Sequence, residues 1–348
     1  MKALCKRART LLLISLVTML VTSAFCIKLE CKFNPGEVNN YKMSMGIGFE
    51  VNVPGKSDAS GEYNFSGNQE IKVLKIDENK NGVLEQTLSS PNILLTVKTS
   101  EPNKPPQEMK YIVTEKECKA FINGVEQQGG AEMQKALTSA FNQKTQVTMA
   151  PNGKFVGFQS LTSPLVPEAQ TPTPSQQTPA QPGPSPSAVS PQQDMQEKLA
   201  KQLSDFIPAF PSENIDVGYQ WSNEIDLTQL LQTFGVMGDL GKIKIDSKFS
   251  SLDEKYGEKS ANIISTIKWN ADNKMITSLF GVLNFKKFAF TGTSLQNFGY
   301  EKGKLLAVSF NANLDADITL TPMGTQEPPQ DLKLKLNLNF KQDLEKKM

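Results

Sequence analysis

Apolar and polar residues alternate with a period of two over unusually long stretches of this chain. Tyr41, Met43, Met45, Ile47, Phe49, Val51 and Val53 alternate with Lys42, Ser44, Gly46, Gly48, Glu50 and Asn52. Side chains of a strand point to opposite faces in turn, so this pattern predicts one long strand with a single apolar face. The turn residues Pro54–Asp58 follow, and Tyr63, Phe65, Ile71 and Val73 resume the alternation. Near the C-terminus Leu306, Val308, Phe310, Ala312, Leu314, Ala316, Ile318 and Leu320 hold phase against Ser309, Asn311, Asn313, Asp315, Asp317 and Thr319. After a loop over Met323–Asp331, Leu332, Leu334, Leu336, Leu338 and Phe340 alternate with Lys333, Lys335, Asn337, Asn339 and Lys341. Two such strands joined by a short loop predict an antiparallel hairpin, with Asp and Lys facing each other on its polar side.

Three segments carry helical spacing instead. Met133, Leu137, Ala140 and Phe141 form one stripe. Met195, Leu199, Leu203 and Phe206 form a second, opened by the capping pair Asp194 and Glu197. Leu227, Leu230, Leu231, Phe234 and Met237 form a third, the candidate lid. The expected class is therefore mainly β, a β-rich α+β fold. In it a large curved antiparallel sheet or half-barrel is closed on one side by a few short helices.

The organisation of the chain is read from composition. Between Pro164 and Pro191 there are nine prolines, set among Ser, Thr, Gln and Ala. Such a segment buries too little apolar surface to offset its ordering entropy, so 164–193 is expected to be a disordered insertion. It divides one β domain into an N-terminal half, 27–163, and a C-terminal half, 194–348. Ahead of these, Lys2, Lys6, Arg7 and Arg9 precede the apolar run Leu11–Val21 and the small residues Thr22-Ser23-Ala24. That is the secretory signal pattern, with cleavage expected after Ala24. Lipidation at Cys26 and an uncleaved anchor are the alternatives. Beyond residue 27 no apolar run reaches membrane-spanning length.

Charge and chemistry narrow the function. The 348 residues include 37 Lys and Arg, 36 Asp and Glu, and no histidine. Imidazole-based nucleophile pairs, proton shuttles and His-ligated metal sites are thereby excluded. Losing residues 1–24 takes the balance from +1 to −3, which argues against a nucleic-acid partner. In an exported chain Cys31 and Cys118 are candidates for a disulfide, or else two unpaired thiols.

Few motifs survive scrutiny. Asp77, Asn79, Asn81 and Glu85 follow the spacing of a calcium loop, but Leu88 stands where a bidentate Glu is needed and the flanks read as strands. Turn chemistry, with Asn81-Gly82 supplying positive φ angles, explains the same residues. Gly55-Lys56-Ser57 lacks the earlier glycine of a phosphate loop. Ser265 and Lys268 match a serine–lysine acylation spacing, yet a strand would place them on opposite faces. Catalytic residues are not assigned. Carboxylate-dependent hydrolysis is the one acid–base chemistry left, and no carboxylate pair sits in an apolar surround.

Four features occur in order: Phe33-Asn34-Pro35-Gly36-Glu37 before Tyr41, then Val147 to Phe155 through Pro151-Asn152-Gly153, then Phe210-Pro211 with Val217-Gly218-Tyr219-Gln220-Trp221, and last Gly299 to Leu305. Together they resemble a family of exported bacterial β-sheet proteins defined only as a domain of unknown function. In shape the layout is similar to the half-barrels of bacterial lipoprotein carriers. The resemblance implies one continuous β domain interrupted by the proline-rich insertion. The expected function is that of an exported, non-enzymatic envelope protein, periplasmic, envelope-associated or secreted. Its apolar sheet face would bind a lipid or other hydrophobic ligand. The alternative is a structural or interaction module with an envelope protein partner, using the insertion as spacer. No cofactor is expected other than calcium in the loop above.

Overall fold

The structure is a computed structural model, in which residues 26–127, 144–160, 209–226, 237–278, 281–323 and 328–345 are described. Every regular element among them is a β-strand, and all of the strands join one antiparallel sheet.

The centre of the sheet pairs strands that are far apart in sequence. Strand β1 (Val38–Val53) pairs with β2 (Ser57–Ile76) on one side and with the last strand, β16 (Gln330–Leu344), on the other. From β2 the order continues to β3 (Gly82–Ser100), β4 (Gln107–Val113), β5 (Cys118–Ile122) and β6 (Val125–Gln127). From β16 it continues to β15 (Lys304–Pro322), β14 (Gly281–Gly299), β12 (Glu258–Asn270), β11 (Lys242–Lys255) and β9 (Gln220–Asp226). Two long strands each serve two shorter partners along one edge. β3 pairs with β4 through Ile93–Thr99 and with β7 (Lys144–Met149) through Gly82–Thr87, and β8 (Phe155–Ser160) follows β7. β14 likewise pairs with β12 and with β13 (Lys274–Ser278), which pairs in turn with β10 (Met237–Gly238). At 20 residues β2 spans about 65 Å at the usual rise per residue.

The β class and the long hairpin agree with the sequence, but the α+β class with covering helices is corrected, among the described residues, to an all-β open sheet. Residues 133–141, 195–206 and 227–236 lie outside the described residues. Met237, the expected end of the third helix, instead begins β10 and pairs with Thr277. Gly238, next to it, holds φ 139°, which no helix accommodates. The insertion 164–193 and residues 1–25 also lie outside the described residues. The strands described on either side of the insertion belong to the same sheet.

One end of the sheet is closed by a strap. Ile27 and Ile215 exchange reciprocal backbone hydrogen bonds, each 2.9 Å. The Cys31 amide donates to Pro151 O and the Lys32 amide to Gly303 O. Leu29 is buried there with Ile215, Phe249, Ile263 and Phe298. The Phe33 ring lies so close to Gly82 that a Cβ there would come within 2.3 Å of it. At the opposite end of the same half, Leu240, Ala271, Ile276, Phe285 and Phe288 form a second cluster, and the Trp269 indole N–H donates to Leu240 O at 2.8 Å.

Candidate ligand-binding face

Register decides which side chains share a face. Residues opposite one another across a ladder point the same way, so a row can be followed from strand to strand. One row runs Tyr111, Leu95, Tyr63, Ile47 through β4, β3, β2 and β1. It continues as Leu338, Ala312, Gly292, Ile267, Ile245 and Asn223 through β16, β15, β14, β12, β11 and β9. The neighbouring row runs Val113, Ile93, Phe65, Met45, Phe340, Phe310 and then Ser294, Ser265, Ser247, Trp221. On the other side of the first, Met109, Val97, Gly61, Phe49, Leu336, Leu314, Phe290 and Trp269 align. These rows contain no charged residue. The first two cross ten strands, which is roughly 43 Å at the usual strand spacing, and the third crosses eight.

The opposite face is mainly polar, although Leu94, Ile112, Ile264 and Leu295 lie on it. Asn64, Gly46, Asn339, Asn311, Thr293 and Thr266 form one row there. Asp315 stands opposite Lys335 and Asp317 opposite Lys333, as the sequence pattern implied, while the Lys287 ammonium bonds Asp315 at 2.5 Å.

Burial is uneven across the apolar face. The clusters near its ends include side chains that are fully enclosed, such as Phe249 and Phe298. The middle is less enclosed, although Met45 packs against the cluster of Phe65, Ile93 and Val113, and Leu334 against that of Phe285 and Phe288. Met45, Ile47, Phe49 and Val51 of β1 and Leu334, Leu336, Leu338 and Phe340 of β16 are all only half-buried. In these two central strands the buried positions are Tyr41, Gly46 and Gln342.

The sequence-derived candidates fall elsewhere. The Asp77 Oδ1 atom accepts the amides of Asn79 at 2.9 Å and Asn81 at 2.8 Å, and Oδ2 accepts the Asn81 side-chain amide at 2.9 Å. Those bonds, led by the Asn81 side chain, hold the Asp77 carboxyl below its usual range. This carboxylate closes the β2–β3 turn on itself. Lys80 supplies the positive φ, 64°, and Gly82 is needed for the approach of Phe33. Glu85 sits on β3 in an ion pair with Lys144 at 2.9 Å. No group of three or more metal-binding side chains occurs among the described residues.

Cys31 and Cys118 are free thiols on different clusters. Cys31 packs by Leu29 and Phe298, and burial, then Glu30, pushes its pKa up to about 12. Cys118 packs by Val113 and Phe65. Ser265 is buried and Lys268 exposed on opposite faces of β12, which separates the serine–lysine pair. Gly55-Lys56-Ser57 makes the β1–β2 turn. An open cleft of about 390 Å³ beside that turn is lined by Glu50, Asn52, Asp58, Ser60, Lys98 and Pro106. Within it Asn52 donates to Asp58, and Lys98 pairs with Glu108 at 3.3 Å.

Sequence reasoning missed a polar spot on the apolar face. Ser247 and Ser265 face each other with their hydroxyls 2.8 Å apart, and Trp221 and Asn223 adjoin them on β9. The signal was present, since serine interrupts both β11 and β12 on their apolar sides, but only the register places the two together.

No family model matches the chain, and no curated protein matches it. The resemblance to a domain of unknown function is therefore not supported by a family match. Among solved structures, one described as lipid–protein interactions in lipovitellin aligns with 90% of this chain and 26% of its own, at 11% identity and a TM-score of 0.42. The chain spans about a quarter of that structure. At that similarity the alignment adds no functional argument.

Proposed function

We propose that this chain is an exported, non-enzymatic protein of a bacterial envelope that holds a lipid or other hydrophobic ligand against the apolar face of its sheet. The supporting observation is the half-burial of the central apolar side chains of β1 and β16, where a folded sheet would ordinarily have its core. Burying apolar surface is favourable by about 25 cal/mol per Å², so acyl chains laid along these rows would gain several kcal/mol. The absence of charge from the three rows suits such chains and disfavours ionic ligands.

Native mass spectrometry of protein purified from its source tests the reading, together with organic extraction of the sample. A co-purifying lipid released by extraction is expected, along with an N-terminus at residue 25. A chain that repeatedly purifies free of lipid, and that takes up no hydrophobic probe, would leave the interaction-module reading in its place.

A further inference from the structure

We infer that the apolar face carries a polar subsite, formed by Trp221, Asn223, Ser247 and Ser265, that binds the neutral carbonyl of an acyl ester. This inference rests on the ligand reading above and names the chemistry of the ligand's head.

Three observations converge. Ser247 and Ser265 are each 2% exposed and are bonded to one another. One hydroxyl donates to the other, so the pair keeps one O–H to offer. In the same row the indole Nε1 of Trp221, and in the adjoining row the side-chain Nδ2 of Asn223, are enclosed and have no hydrogen-bond partner. An indole N–H and an amide NH₂ only donate. The spot thus presents donors that lack an acceptor, and a buried donor left unmade is costly.

The surroundings select the acceptor. The residues that share these rows are apolar or uncharged, with no Lys or Arg among them. A carboxylate or phosphate would lie there without a counter-charge, at a high desolvation cost. A neutral carbonyl accepts the same hydrogen bonds without that cost. An ester also brings an acyl chain, which suits the uncharged rows beside the subsite.

The test is displacement of a fluorescent hydrophobic reporter from the delipidated full-length mature protein by dodecane, methyl laurate and laurate at pH 8. Methyl laurate should displace it at about tenfold lower concentration than dodecane, the worth of one or two net hydrogen bonds. Laurate should be weaker than its ester. Ser265→Ala and Trp221→Phe should each erase most of the ester's advantage while leaving dodecane unchanged, and Ser247→Ala serves if either variant fails to fold. Equal displacement by ester and alkane on the wild type overturns the subsite but leaves the ligand reading standing, and so does an advantage that survives these variants. Laurate matching the ester overturns the neutral acceptor. If the reporter and all three compounds fail to bind, the ligand reading itself falls, and the subsite with it.

Discussion

The backbone amide of Lys32 donates to the carbonyl of Gly303 at 3.0 Å, fastening the strap to the β14–β15 turn. Gly303 holds φ 65°, and a Cβ there would stand 2.4 Å from Lys32 N and 2.6 Å from Glu30 O. Both atoms are backbone and cannot swing aside. Gly303→Ala should therefore cost about 1–3 kcal/mol, through the positive φ and the collision together. Urea denaturation measures the loss. Hydrogen exchange should show the Cys31 and Lys32 amides opening first, and an unchanged midpoint would refute the strap's role.

Truncating a core residue and a ligand-face residue should give different results. Phe249 is fully enclosed, so Phe249→Ala should cost about 3–5 kcal/mol. Leu338 is half-buried, so Leu338→Ala should cost about 1 kcal/mol or less and mainly weaken uptake of a hydrophobic probe. Equal destabilisation by the two would mean that the middle of the sheet is an ordinary core.

Acid should destabilise the fold over a defined range. Asp77 is held below its usual range chiefly by the Asn81 side chain, Asp272 chiefly by the Phe288 amide, and Asp331 chiefly by Lys286. A lowered folded-state pKa gives stability that is fully present above the unfolded value of about 3.9 and lost as pH falls through the folded value. With no histidine, no imidazole titrates between pH 5 and 8. The melting temperature should be nearly flat from pH 7 to 5 and should drop below about pH 4. A step near pH 6.5 would contradict this.

The Cys31 thiol should be nearly inert in the folded protein. Its pKa of about 12, raised by burial, leaves almost no thiolate at pH 8, and the thiolate is the reactive form. Maleimide should label Cys31 only after denaturation, as read by peptide mass mapping. Rapid native labelling at Cys31 would show that the strap opens readily.

The strands with clean alternation were legible from sequence because each has one apolar face. Met43 to Val53, Leu306 to Leu320 and Leu332 to Phe340 all lie in strands of matching phase. β3 was harder to see. Pro91 lies within it, Ser90 takes a positive φ, and a register shift faces them near Gly67. Met237 was misassigned because an apolar residue at helical spacing also fits a short strand. The pairing of β1 with β16 and the meeting of Ser247 with Ser265 were invisible, since local pattern does not encode which strands become neighbours. The polar spot was missed for that reason.

The position of the first strand beside the last has a consequence for biosynthesis. The ladder joining Ile47 to Leu338 pairs residues 291 positions apart and cannot form until both have been made. Contacts this distant in sequence close slowly, and until they do both strands expose unpaired edges and apolar side chains. The emerging chain would thus stay unfinished at its centre while it is synthesised, an opportunity for a chaperone and a hazard for aggregation.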